Sequence, residues 1–95
     1  MSDSSQPTRG IAILGSTGSI GTQALEVIRE QPEILHAEVL TAHRNAELLI
    51  QQALEFKPNT VVIGDLSRLG EVKDALWEHG IKVYGGPEAL EQVVE

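Results

Sequence analysis

Ninety-five residues, 41% hydrophobic and 3% aromatic, suffice for one folded domain at most and exclude a large enzyme with two substrate sites. Fourteen acidic against seven basic side chains give a formal net charge of -7, which repels phosphodiester backbones and anionic lipid; neither nucleic acid nor a membrane surface is expected as a partner, and any phosphate must be bound locally. With no cysteine there is no disulfide framework or thiolate chemistry, and no apolar run approaches the roughly 18 residues of a membrane span, so the cytoplasm is the default compartment.

The opening stretch MSDSSQPTR is polar and lacks the apolar core of a secretory signal, so residues 1–9 are expected to form a flexible tail, with the domain over 10–95. IAILG, residues 11–15, is a short apolar run ending in glycine, as expected of a strand buried on both faces of a parallel sheet. From Ser19 the period changes: Ile20, Ala24, Leu25, Val27 and Ile28 fall at helical spacings, and Pro32 disfavours further helix. AEVLTAH, residues 37–43, predicts a second strand. NAELLIQQALEF then predicts a helix with Leu48, Leu49, Ala53, Leu54 and Phe56 on its apolar face and Asn45 as its N-cap. Beyond the turn at Lys57, Pro58 and Asn59, TVVIGD reads as a third strand and SRLGEVKDALWEHG as a third helix stopped by Gly80. IKVYGG follows as a fourth strand, and PEALEQVVE opens a fourth helix with Pro87 in its first turn.

Four such units of roughly 20 to 25 residues imply a parallel sheet with right-handed crossovers. The expected class is therefore α/β: the N-terminal portion of a Rossmann-like, doubly wound parallel sheet, about four βα units long. A complete dinucleotide domain has about six strands in two halves, so most of the second half is not expected within these residues.

GSTGSIG, residues 15–21, sits between the first strand and the first helix, where free backbone N–H groups and the helix dipole favour a phosphate. Gly15 is expected to make the tight turn, Gly18 to let the backbone approach a pyrophosphate, and Gly21 to let the helix pack closely on the sheet. Ser16 and Thr17 add hydroxyl donors beside the amides, and Thr17, Ser19 and Ile20 are the candidate phosphate contacts. The same glycines also suit a turn that is simply tight. A Walker-type triphosphate loop is set aside, because no lysine stands beside Gly21 and Thr22.

Which dinucleotide is bound is decided at the end of the second strand, where a carboxylate would take the ribose 2′-hydroxyl of NAD. The residues there are AHRN. No acid stands at Ala42 to Asn45, while Arg44 offers a permanently charged planar fork that suits a 2′-phosphate, with His43 and Asn45 as further donors. This points to NADP rather than NAD, against the alternative that Arg44 is a solvated loop charge and Asn45 only a cap. His36 and His79 read as surface residues without metal partners, and Asp65 reads as a helix cap at the carboxyl edge. Gly85 and Gly86 lie on the same edge, where a nicotinamide ribose or a plain turn explains them equally.

IAILGSTGSIGTQALEVIREQPE followed by VLTAHRNAELLIQQALEFKP resembles the N-terminal segment of the 1-deoxy-D-xylulose 5-phosphate reductoisomerase family, with a likeness from about Gly10 to Pro58 that is generic beyond Thr60. The resemblance implies that Thr17, Gly18, Ser19 and Ile20 bind NADPH on its pyrophosphate side and that Arg44 and Asn45 take its 2′-phosphate end. His43 stands where a small residue is expected. For the full-length enzyme it implies conversion of 1-deoxy-D-xylulose 5-phosphate to 2-C-methyl-D-erythritol 4-phosphate in isoprenoid biosynthesis, with a sugar-phosphate substrate and a divalent metal, Mg or Mn. The family's Asn-Lys-Glu-Ser segment and its acidic metal ligands lie downstream. No catalytic residue and no metal ligand is therefore expected among residues 1–95, and this chain alone is not expected to be catalytic. A homodimer stays open as the assembly state. Two other readings stand beside this one: an NADP-dependent Rossmann reductase of the extended short-chain type, and a non-catalytic nucleotide-sensing module.

Overall fold

The computed structural model describes residues 8–94; the expected N-terminal tail lies, through Pro7, outside the described residues, as does Glu95. Strands β1 (Arg9–Ile13), β2 (Leu35–Ala42), β3 (Thr60–Ile63) and β4 (Lys82–Gly85) form one parallel sheet in the order β1-β2-β3-β4. Helices α1 (Ser19–Glu30), α2 (Ala46–Phe56), α3 (Leu69–Leu76) and α4 (Pro87–Val94) alternate with them. The α/β class and the four repeating units are those the sequence predicts. Pairing sets Ile13 beside Leu40, Ala42 beside Ile63, and Ile63 beside Gly85, so the carboxyl ends of all four strands emerge along one edge.

Side-chain alternation divides the sheet into two faces. Ile13, Leu40, Ala42, Val61 and Ile63 point to one side, where they form a single buried cluster with Leu25 and Ile28 of α1, Leu49 and Ala53 of α2, and Val72 and Leu76 of α3. Three right-handed crossovers between strands laid down in chain order must place their helices on one face, as these are. On the opposite face Ala12, Val39, Val62 and Tyr84 line a groove of about 280 Å³ together with Ala89 and Gln92 of α4. A helix on that second face is the connection by which a doubly wound sheet reverses direction.

Several helix faces differ from the periodicity reading. In α1 the buried positions are Gly21, Leu25 and Ile28, while Ile20 is 82% and Val27 49% exposed. Both lie well round the helix from the Leu25–Ile28 stripe, and apolar spacing alone does not say which of two overlapping stripes meets the sheet. Leu54 of α2 is likewise partly exposed, and Gln52 is buried on the same helix. The third helix is divided: a 3-10 turn at Leu66–Arg68 precedes α3, and another at Trp77–His79 ends on Gly80 in the left-handed region at φ 71°. Gly80 is thus the stop the sequence predicts. Asn45 caps α2 through its side-chain oxygen, which accepts from the Leu48 N–H at 3.2 Å, and Asp65 caps the 3-10 turn by accepting from Ser67 N–H at 3.0 Å.

Candidate functional site

The site lies on the carboxyl edge, where β1 ends in the glycine loop and β2 ends in His43, Arg44 and Asn45. Hydrogen bonds join the two directly. The Gly15 N–H donates to Thr41 Oγ1 at 2.9 Å and the Ser16 N–H to the Thr41 carbonyl at 2.7 Å, so the loop is tied to the end of the neighbouring strand. β3 supports β2 in the same way: Gly64 N–H donates to Ala42 O at 2.9 Å and Asp65 N–H to His43 O at 2.8 Å, which carries the ladder past the strand ends and holds the base of the AHRN turn.

Each glycine of the loop has its own physical reason. Gly15 sits at φ 70°, a conformation that L side chains rarely adopt, and makes the turn off the strand. A Cβ on Gly21 would fall 2.2 Å from the Gly15 carbonyl oxygen and 2.6 Å from Ser16 Cα, so only glycine lets α1 start this close to β1. Gly18 is different. Its backbone is extended at φ -86°, and an added Cβ would meet nothing closer than Gly15 O at 3.5 Å. The protein's own packing does not require glycine at position 18; the space its Cβ would enter is the space in front of the loop.

Gly18 is also the N-cap of α1, and no side chain caps the helix there. The N–H groups of the first helical turn, Ser19, Ile20 and Gly21, precede the first intrahelical bond, made by Thr22 N–H to Gly18 O at 2.9 Å. The first turn carries no acidic residue. An uncapped helix start free of negative charge, behind an open glycine, suits a phosphate.

Ser16 is a correction to the sequence reading. Its hydroxyl does not stand beside the loop amides: the residue is fully buried, and its Oγ donates to Gln52 Oε1 at 2.7 Å. Gln52 Nε2 donates back to the Ser16 carbonyl at 2.8 Å. Gln52 escaped the sequence reading because a glutamine on a helix is ordinarily solvated, and its partner lies 36 positions away.

At the other half of the site Arg44 projects outward, its side chain 76% exposed, with Nε 3.8 Å from Asp65 Oδ2. At that distance and exposure the ion pair is weak and leaves the guanidinium able to take another anion. Asp65 is held below the usual carboxylate range chiefly by the Ser67 hydroxyl, then by the Ser67 N–H, with the charges of Arg44 and Arg68 adding to the effect. Asn45 uses its side-chain oxygen for the cap, so the amide nitrogen is the end of the side chain that can donate to a ligand. His43 is exposed, with its ring close over the Gly64 backbone: a Cβ on Gly64 would lie 2.9 Å from His43 Nδ1. Gly64 therefore makes room for the larger residue at position 43.

The remaining polar residues do not join this edge. His36 lies half-buried in β2 with Nε2 2.8 Å from Glu38 Oε1, and it also bonds to Thr8 Oγ1. The sequence reads it as a surface residue without metal partners; it lies instead within β2, where the two-residue strand repeat brings Glu38 onto its own face. Among the described residues no group of three His, Asp or Glu side chains could hold a metal ion. No helix there is long and apolar enough to cross a membrane.

Comparison with known proteins places this geometry. The family model for 1-deoxy-D-xylulose 5-phosphate reductoisomerase matches residues 11–95, well past the Pro58 limit of the resemblance read from the sequence. The chain is 50% identical over 94 residues to the 1-deoxy-D-xylulose 5-phosphate reductoisomerase of Bacteroides thetaiotaomicron, covering 99% of this chain and 24% of that protein. It is 53% identical over 85 residues to that of Bacteroides fragilis, covering 90% of this chain and 22% of the relative. Its structure superposes on the Zymomonas mobilis reductoisomerase in complex with NADPH with a TM-score of 0.85 at 31% identity, over 90% of this chain and 23% of the other. A reductoisomerase complex with NADPH, fosmidomycin and magnesium matches with a TM-score of 0.78 at 26% identity, over 85% of this chain and 20% of that one. The chain thus spans about a quarter of the length of the curated relatives it matches. With an α/β fold, a glycine loop and a family match that together cover nearly all of it, the chain belongs to the 1-deoxy-D-xylulose 5-phosphate reductoisomerase family.

Proposed function

We propose that this chain is the NADPH-binding part of a 1-deoxy-D-xylulose 5-phosphate reductoisomerase. The observation that carries the reading is the open, uncapped and acid-free start of α1 behind Gly18, with Arg44 on the same sheet edge. In this reading the backbone of Thr17, Ser19 and Ile20 and the hydroxyls of Thr17 and Ser19 hold the pyrophosphate, which comes close to the chain at Gly18, whose own N–H is given to Gly15 O at 3.0 Å, and Arg44, Asn45 and His43 hold the adenosine 2′-phosphate. The dinucleotide would supply the hydride for the reduction that follows rearrangement of the substrate's carbon skeleton; these residues bind and orient it. The structures that superpose on the chain include reductoisomerase complexes with NADPH and with magnesium, which supports the cofactor and a divalent metal for the whole protein. Conversion of 1-deoxy-D-xylulose 5-phosphate to 2-C-methyl-D-erythritol 4-phosphate, a homodimeric assembly and a cytoplasmic setting belong to the same proposal. The family match favours this reading over an extended short-chain reductase.

Gly18→Val tests it. The backbone at residue 18 is one that valine adopts, and nothing of the protein stands within 3.5 Å of the new Cβ, so the domain should fold while the side chain occupies the phosphate's place. NADPH affinity of the full-length protein, followed by fluorescence titration, should fall by about a hundredfold, in the range of steric insertion into a fitted site. A folded Gly18→Val protein that binds NADPH normally would refute the loop's role.

A further inference from the structure

We infer that Gln52 is a positioning residue: from within the core it fixes the Ser16–Thr17 peptide, so that the Thr17 N–H faces outward before any ligand arrives. This rests on the cofactor reading above. In a trans peptide the C=O and the following N–H point in opposite directions. The Ser16 carbonyl is held inward by Gln52 Nε2 at 2.8 Å, so the Thr17 N–H points away from Gln52, toward the front of the loop. The second bond, from Ser16 Oγ to Gln52 Oε1 at 2.7 Å, fixes which way the glutamine amide faces and so keeps its nitrogen on the carbonyl.

Packing alone does not account for a glutamine here. Gln52 is 7% exposed on a helix face shared with Leu49 and Ala53, where an apolar side chain of similar length would fill the space without the cost of desolvating an amide. The amide meets that cost by bonding to a single residue at both its ends, and among the described residues no buried side-chain polar atom is left without a partner. Ser16 has all three of its polar groups directed inward: N–H to Thr41 O, Oγ to Gln52, and C=O from Gln52. A loop meant only to be tight could leave that carbonyl facing water. Turned the other way, the same peptide would show a carbonyl oxygen to the phosphate and bury its N–H, replacing an attractive dipole with a repulsive one.

The test compares two ligands on the full-length protein: NADPH, which spans the loop and the Arg44 end, and 2′-phosphoadenosine, which reaches only the Arg44 end. Gln52→Met keeps the side-chain length and removes both hydrogen bonds. NADPH should bind about tenfold more weakly, the effect of one misdirected donor in a charge-assisted site, while 2′-phosphoadenosine should bind within about twofold of normal. Ser16→Ala, which keeps the carbonyl bond, should weaken NADPH in the same direction by only about threefold, and it decides the matter should Gln52→Met fail to fold. Unchanged NADPH affinity in these variants, or an equal loss for both ligands, overturns the inference, the latter because it marks general loosening. If the unsubstituted protein binds 2′-phosphoadenosine and NADPH no better than NADH, the cofactor reading itself fails, whatever Gln52 does.

Discussion

Replacing Arg44 with alanine should separate the two nicotinamide cofactors. The guanidinium is the fixed positive charge of the AHRN turn, and a 2′-phosphate, present in NADPH and absent from NADH, is the ligand group that its fork fits. A charge-assisted hydrogen bond contributes roughly 1.5 to 3 kcal/mol. The side chain is 76% exposed, so solvent screening places this contact toward the lower end of that range. The substitution has a second effect that the structure makes visible: Asp65, 3.8 Å from Arg44 Nε, loses its counter-charge and is left as an anion facing the phosphate. Both effects act on NADPH and scarcely on NADH. The ratio of NADPH to NADH affinity in the full-length protein should therefore fall by about tenfold to a hundredfold, nearly all of it through weaker NADPH binding. Parallel titrations with and without Arg44, at fixed ionic strength because exposed charge contacts weaken with salt, supply the measurement. Equal weakening of both cofactors, or of neither, would show that Arg44 does not discriminate them.

Asp65→Asn should act in the opposite sense, raising NADPH affinity by about twofold to fivefold as a nearby like charge is removed, with a modest fall in melting temperature, because the asparagine oxygen still accepts from Ser67 but without the carboxylate's charge. Since hydrogen bonds hold the Asp65 carboxyl below its ordinary value of 3.8, its stabilising contribution is present above that pH and fades only as the pH falls below it. The wild-type cofactor preference should thus show no Asp65-dependent step between about pH 5 and 8, which titration of the Asp65→Asn variant alongside it would check. Gly21→Ala should lower stability by about 2 to 4 kcal/mol, since its Cβ meets the Gly15 carbonyl oxygen at 2.2 Å and backbone must move; chemical denaturation measures this, and a loss below about 0.5 kcal/mol would contradict the close approach. Asn45→Ala should lower the melting transition by an amount equivalent to about 1 kcal/mol through loss of the α2 cap, whatever it does to binding.

Much of the molecule was legible in the order of its residues, for a reason common to all the legible parts. The turn at Gly15, the stop at Gly80, and the caps at Asn45 and Asp65 depend on contacts within a few residues, where backbone sterics and one short side chain decide the outcome. The four alternating units follow from apolar period, and parallel order from right-handed crossover, so the meeting of the glycine loop with the AHRN turn on one edge could be anticipated. The tertiary structure decided what depends on distant partners. Ile20 and Ile28 have the same polarity at compatible spacing, yet only the seat of α1 on the sheet left one in water and the other in the core. His43 is accommodated because Gly64, just past the end of β3, has no side chain to oppose it. Ser16 reads as a phosphate donor until Gln52, from the middle of α2, claims its hydroxyl and its carbonyl. A hydroxyl or an amide carries no mark in the sequence of which partner it will meet; burial removes water as the alternative, and the group bonds to whatever the fold brings within reach.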